Sequence, residues 1–172
     1  MNYNHNILRC LISLILLTIG FNGCNMYSFS GASISQDTKT IFIENILNGA
    51  NLISPNLSNN LTEKLKTKCL NETHLIWNED NPDIFFSGFI KNYQLEPVAI
   101  QNNEIAAKNR LTITISITYT NKLDDTQNFS KVFSHYADFD SNENFSDKEE
   151  ELNNDIIEDL IEDIFNSSFI NW

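Results

Sequence analysis

The chain has 172 residues and a formal net charge of −12, with 23 Asp and Glu against 11 Lys and Arg. Phosphate contact requires clustered basic side chains, and none occurs: Lys64, Lys66 and Lys68 are ordinary polar positions of a predicted helix, so nucleic-acid binding is excluded. The length suffices for one domain with a real core but hardly for two.

The only long apolar run, Leu11 to Phe21, follows a polar stretch whose single charge is Arg9 and precedes Asn22, Gly23 and Cys24. A positive start, an apolar middle and a small residue at the end is the layout of a secretory signal. The run is too short for a span, which needs about 20 apolar residues. A cysteine after a small residue at this point occupies the acylated position of a bacterial lipobox, so Cys24 is the expected lipid attachment site and new N-terminus. The alternative is an ordinary signal anchor or cleaved signal with an incidental cysteine. Residues 1–23 are then a leader, 24–38 a lipidated tether and 39–172 a single domain, anchored to a membrane without spanning it. The mature 149 residues carry −13, of which −11 lies from Asp138 onward. Cys69 would be the only unmodified thiol, so no intramolecular disulfide is expected, and a catalytic pair with His74 or His135 is not indicated.

Residues 25–39 are polar, Ser-rich and aperiodic. Thr40 to Ile46 is the expected first strand, broken by Asn48-Gly49. Ser54 with Pro55 offers an N-cap and first helical position, and Leu57, Leu61, Leu65 and Cys69 recur every four residues on an amphipathic helix. A short strand is expected at His74–Trp77 and a longer one at Asp83–Leu95, the latter with Phe85, Phe89, Tyr93 and Leu95 largely on one face and Gly88 at a bulge position. From Leu111 to Thr120 apolar and hydroxyl residues alternate without a fault, predicting a strand buried on one side only. Asp124-Asp125 turns the chain into an antiparallel neighbour, Asn128–Phe139. In the final helix Ser146 and Glu149 read as a capping box, Leu152, Ile156, Leu160 and Ile164 form the buried stripe, and acids from Asp155 to Asp163 fill the opposite face. The order predicts an α+β fold with two helices on one face of a four- to five-stranded, mainly antiparallel sheet. The Thr/Ser face of Leu111–Thr120 is left facing solvent or a partner.

Asp138 to Glu149 places oxygen-bearing residues at the spacing of an EF-hand calcium loop. Glu143 stands where that loop needs glycine, and a strand leads in. A polar turn followed by a helix cap explains the same residues.

Tyr27–Ile34, Pro97–Gln101, Asn109–Ile115, Phe133–Phe139, Glu162–Asn166 and Phe169–Trp172 together resemble, in order, the lipopolysaccharide-assembly lipoprotein family LptE in its Bacteroidetes-type form. The resemblance covers essentially the whole mature chain. It implies an outer-membrane lipoprotein facing the periplasm, with two helices on a small sheet, that plugs the β-barrel LptD and helps it deliver lipopolysaccharide to the outer leaflet. Direct contact with lipopolysaccharide stays open, because the family's basic contact residues have only isolated counterparts such as Lys108 and Arg110. No ligand-binding residue is carried over. No catalytic, metal or cofactor site is expected. The alternative function is a periplasmic ligand-binding lipoprotein, calcium-dependent through Asp138–Glu149; an enzyme ranks third, since no Ser/His/Asp, Cys/His or metal cluster is visible.

Overall fold

Alternation of Leu111, Ile113, Ile115, Ile117 and Tyr119 with Thr and Ser builds the centre of the sheet. The computed structural model describes residues 34–50, 54, 56–98 and 107–170. Strands are β1 Thr40–Ile43, β2 Leu47–Asn48, β3 Ile76–Trp77, β4 Ile84–Val98, β5 Lys108–Asn121 and β6 Phe129–Asp140; helices are α1 Leu57–Glu72 and α2 Phe145–Phe169. Cys24, the leader and nearly all of the tether lie outside the described residues, as do Pro55 and the centre of the β4–β5 connection.

The sheet has six strands in the order β3-β1-β4-β5-β6, with β2 also paired to β4. Two features correct the expectation of four to five mainly antiparallel strands. The segment Thr40–Ile46 is not one strand. β1 ends at Ile43, and β2 resumes beside β4 at Leu47. Between them Thr62 of α1 accepts from the Ile46 amide at 3.0 Å, and Ser58 donates to the Ile46 carbonyl, so α1 holds the break. The second correction is that β1 pairs with both β3 and β4 in parallel, and β2 with β4 likewise, which makes the sheet mixed. Because α1 carries the chain back across the sheet between β2 and β3, the returning strands point the same way as β1. The pairs β4–β5 and β5–β6 are antiparallel as expected.

Both helices lie on one face. Leu57, Leu61, Leu65 and Cys69 of α1, with Ile156, Ile157, Leu160 and Ile164 of α2, are buried against Ile41, Ile43, Ile90, Ile113, Ile115 and Ile117. Burial of each such side chain contributes roughly 1.5–3 kcal/mol. At one end Phe86, Tyr119 and Phe169 pack edge to face, with centroids 5.0 to 6.0 Å apart. The helices run parallel, since Lys64 pairs with Glu158 at 3.3 Å and Lys68 with Glu162 at 2.6 Å.

Helix entry differs from the expected caps. Asn56 rather than Ser54 occupies the N-cap of α1, while the Ser54 carbonyl accepts from the Leu57 amide. Asn144 caps α2 by accepting from the Ser146 amide at 3.3 Å. Glu149 is drawn away from a capping box by the Tyr93 phenol, which donates to it at 2.9 Å.

Candidate docking face

The face of the sheet away from the helices is built by strand register. Ser87, Thr118 and Ser130 form one row across β4, β5 and β6; Asn92, Thr114 and Ser134 form another. Thr114 and Ser134 share a hydrogen bond of 2.8 Å, and Thr118 donates to Ser130 at 3.2 Å. These cross-strand hydroxyl pairs leave both rows polar and uncharged, on either side of the row Phe89, Ser116 and Val132. Among the described residues neither helix covers this face.

The flanks give the face a direction. Towards β1 and β2 it is apolar: Phe42 packs on Phe85 at 5.9 Å and on Trp77 at 5.2 Å, and Leu47 lies beside Phe89 in register. Leu47 and Phe89 there are 65% and 45% exposed, and the row from Phe89 through Ser116 ends across the sheet at Val132 of β6, itself 54% exposed. At the far end the row Glu96, Arg110 and Asp138 is charged. Both nitrogens of an Arg110 fork donate to Asp138, at 2.7 and 2.8 Å, and the guanidinium stacks 3.6 Å over the Tyr136 ring. That pairing with Arg110 holds the Asp138 carboxyl below its ordinary range, burial working the other way.

Sequence periodicity found the hydroxyl row but misplaced the aromatic residues beside it. Phe85, Phe89, Tyr93 and Leu95 do not share a face. The bulge lies between Ile90 and Asn92, at Lys91, and not at Gly88. One extra residue reverses the parity of everything after it, so Phe85 and Phe89 stay on the open face while Tyr93 turns into the core. Gly88 is required for a different reason: a Cβ there would sit 2.5 Å from the Ser116 carbonyl oxygen.

The residues weighed for chemistry are not brought together. Cys69 is fully buried, and burial pushes its thiol up to about 12, which makes it a core side chain rather than a nucleophile. His74 bonds the Thr38 carbonyl oxygen at 2.9 Å, and His135 bonds Asp163 at 2.7 Å. The segment Asp138–Glu149 is a strand end, a turn and a helix start. Asp138 is taken by Arg110, Glu143 by Lys148 and Glu149 by Tyr93, so the carboxylates diverge. Among the described residues no group of three or more His, Cys, Asp or Glu is placed to hold a metal ion. No helix among them is long and apolar enough to cross a membrane.

Several solved structures resemble the chain. A minor lipoprotein from Acinetobacter baumannii is 12% identical with a TM-score of 0.45, over 76% of this chain and 94% of that one. An uncharacterized lipoprotein B from Nitrosomonas europaea is 9% identical with a TM-score of 0.46, over 74% and 79%. A putative neuraminyllactose-binding hemagglutinin homolog from Helicobacter pylori is 8% identical with a TM-score of 0.48, over 76% and 86%. Such distant likenesses carry no functional argument. No curated protein matches the sequence. The family model LptE, lipopolysaccharide-assembly, matches residues 38–168, from just before β1 almost to the end of α2, and the chain belongs to that family.

Proposed function

We propose that this chain is an outer-membrane lipoprotein, held by lipid on Cys24 and facing the periplasm, that plugs and helps assemble an LptD-like β-barrel in lipopolysaccharide delivery to the outer leaflet. The match of the LptE family to residues 38–168 carries this reading. The reading takes 1–23 as the leader and 24–38 as the tether. Asn25 follows the cysteine, so the aspartate that retains some lipoproteins at the inner membrane is not there, and no acidic side chain occurs between Cys24 and Asp37.

The open sheet face supports the barrel contact physically. A barrel lumen is polar, and a plug in it needs a surface that bonds without burying unpaired charge. The Thr114–Ser134 and Thr118–Ser130 rows supply such a surface, whereas the exposed side of α2 carries five acids between Asp155 and Asp163.

A photo-crosslinker at Thr114 or Ser116 of the membrane-extracted protein tests both parts. It should trap a large β-barrel protein, and one at Glu158 or Glu162 should trap less. Trapping from the helix alone would reverse the orientation, and trapping of no barrel from any position would remove the plug reading. Cys24→Ala should abolish incorporation of labelled fatty acid; normal labelling would end the lipoprotein part.

A further inference from the structure

We propose that the free edge of β6 is a docking edge for an extended, basic strand of a partner protein. This goes beyond the plug reading and does not depend on it.

β6 is twelve residues long and pairs only with β5, in unbroken register from Phe129 to Asp140. Among the described residues nothing bonds the outward amides and carbonyls of Ser130 to Phe139. Natural edges are normally shortened, bulged, interrupted by proline or studded with lysine, because an open ladder recruits other strands. β6 has none of the first three, and its only lysine, Lys131, lies near one end. An added strand would complete the ladder by main-chain bonds, with side chains deciding which strand fits.

Charge decides the occupant. The five acids of α2 from Asp155 to Asp163 divide into two rows. Glu158 and Glu162 face α1 and are paired with Lys64 and Lys68. Asp155, Asp159 and Asp163 are exposed on the β6 side, the last two facing His135 and Asp155 bordering a depression with Ala137 and Phe139 of β6 and with Lys108 and Lys148. His135 of β6 reaches two of them, Asp163 at 2.7 Å and Asp159 at 3.7 Å, and among the described residues Asp155 has no ion-pair partner. Acids four apart on a helix are spaced by about 6 Å. Alternate residues of a strand are spaced by about 6.6 Å, so a partner strand with a cation at every second position keeps step with this row. A second copy fits poorly, because pairing β6 with β6 would set two such acidic rows side by side.

The test uses the full chain with an amidated ten-residue peptide of alternating Lys and Val, and its Glu–Val counterpart. The Lys–Val peptide should bind, weaken with added salt, and slow hydrogen exchange at alternate β6 amides between Ser130 and Phe139. Asp155→Asn, Asp159→Asn and Asp163→Asn combined should weaken binding at least tenfold; if that variant unfolds, the salt dependence of the unaltered chain decides. Failure to bind, equal binding of both peptides, or binding without β6 protection would overturn the proposal. Concentration-dependent protection of β6 in the free protein would also overturn it, assigning the edge to a second copy.

Discussion

The Tyr93 phenol donates a 2.9 Å hydrogen bond to Oε1 of Glu149, joining the bulged strand β4 to the first turns of α2. Tyr93 is only 4% exposed, and it faces α2 because the extra residue at Lys91 rotates it inward. Burial, followed by the Glu149 carboxylate, raises the phenol above its ordinary range, so it remains a donor at every physiological pH. Tyr93→Phe removes the donor but leaves the ring's packing and a carboxylate that water can reach. The expected loss is about 1–2 kcal/mol of unfolding free energy, read as a lower urea midpoint with an unchanged slope. An unchanged midpoint would mean that the contact contributes nothing.

Gly88→Ala should cost more than Gly49→Ala. The added methyl at Gly88 meets the Ser116 carbonyl oxygen at 2.5 Å and Ile117 Cδ1 at 2.7 Å, and the first is ladder backbone that cannot rotate away. At Gly49 the nearest atom, the Ile90 carbonyl oxygen, stands at 3.1 Å. Overpacking of this kind costs roughly 1–3 kcal/mol, and comparison of the two thermal midpoints checks the order.

How much of this was legible follows from what each signal measures. The strand at Leu111–Thr120 and the final helix were plain because long, unbroken periodicities of two and of 3.6 survive any uncertainty at their ends. The hydroxyl face was legible for the same reason. The bulge at Lys91 was not, because nothing in Ile90-Lys91-Asn92 marks it and glycine at 88 offered a more obvious position. That single residue turned Tyr93 and Leu95 away from Phe85 and Phe89, which stayed on the open face, so the makeup of the apolar flank could not be read from spacing. The parallel pairings were hidden too, since β1, β2 and β3 are four, two and two residues long and their direction is fixed by the crossover through α1. The free edge of β6 is a property of strand order, which no local pattern carries.

Asp83 makes stability depend on acid. Its Oδ2 accepts from the Lys39 amide, the Thr40 amide and the Thr40 hydroxyl, each at 2.9 Å, fastening the start of β1 to that of β4. The bond from the Lys39 amide, then those from Thr40, with burial opposing, hold its pKa below the usual carboxylate range. A group depressed in the folded state adds stability above its unfolded value, and that stability is lost as pH falls through the folded value. Asp83→Ala should therefore cost about 1 kcal/mol at pH 7, given how solvent-facing the group is. The gap between the variant and the unaltered chain should narrow as pH falls below the ordinary aspartate value of about 3.9. Urea midpoints of both proteins across that range test the sign; a gap that widens in acid would contradict it.

Thr114→Lys with Thr118→Lys separates folding from docking on the open face. Thr114 lies between Asn92 and Ser134, and Thr118 between Ser87 and Ser130, so no neighbour in either row carries a charge. Lysine can extend from both positions into water, and the two lost hydroxyl contacts are exposed ones. The unfolding free energy should stay within about 0.5–1 kcal/mol of the unaltered chain, allowing for the lower strand propensity of lysine. Association with the barrel should fall much further, because two ammonium groups would have to lose water in a close contact that offers them no partner. Co-purification of the barrel from detergent extracts measures the second effect, and circular dichroism during heating measures the first. Full barrel recovery with this variant would remove the face from the contact. Loss of the fold would show that the face is packed rather than open, and the one-sided burial of β5 would then be wrong.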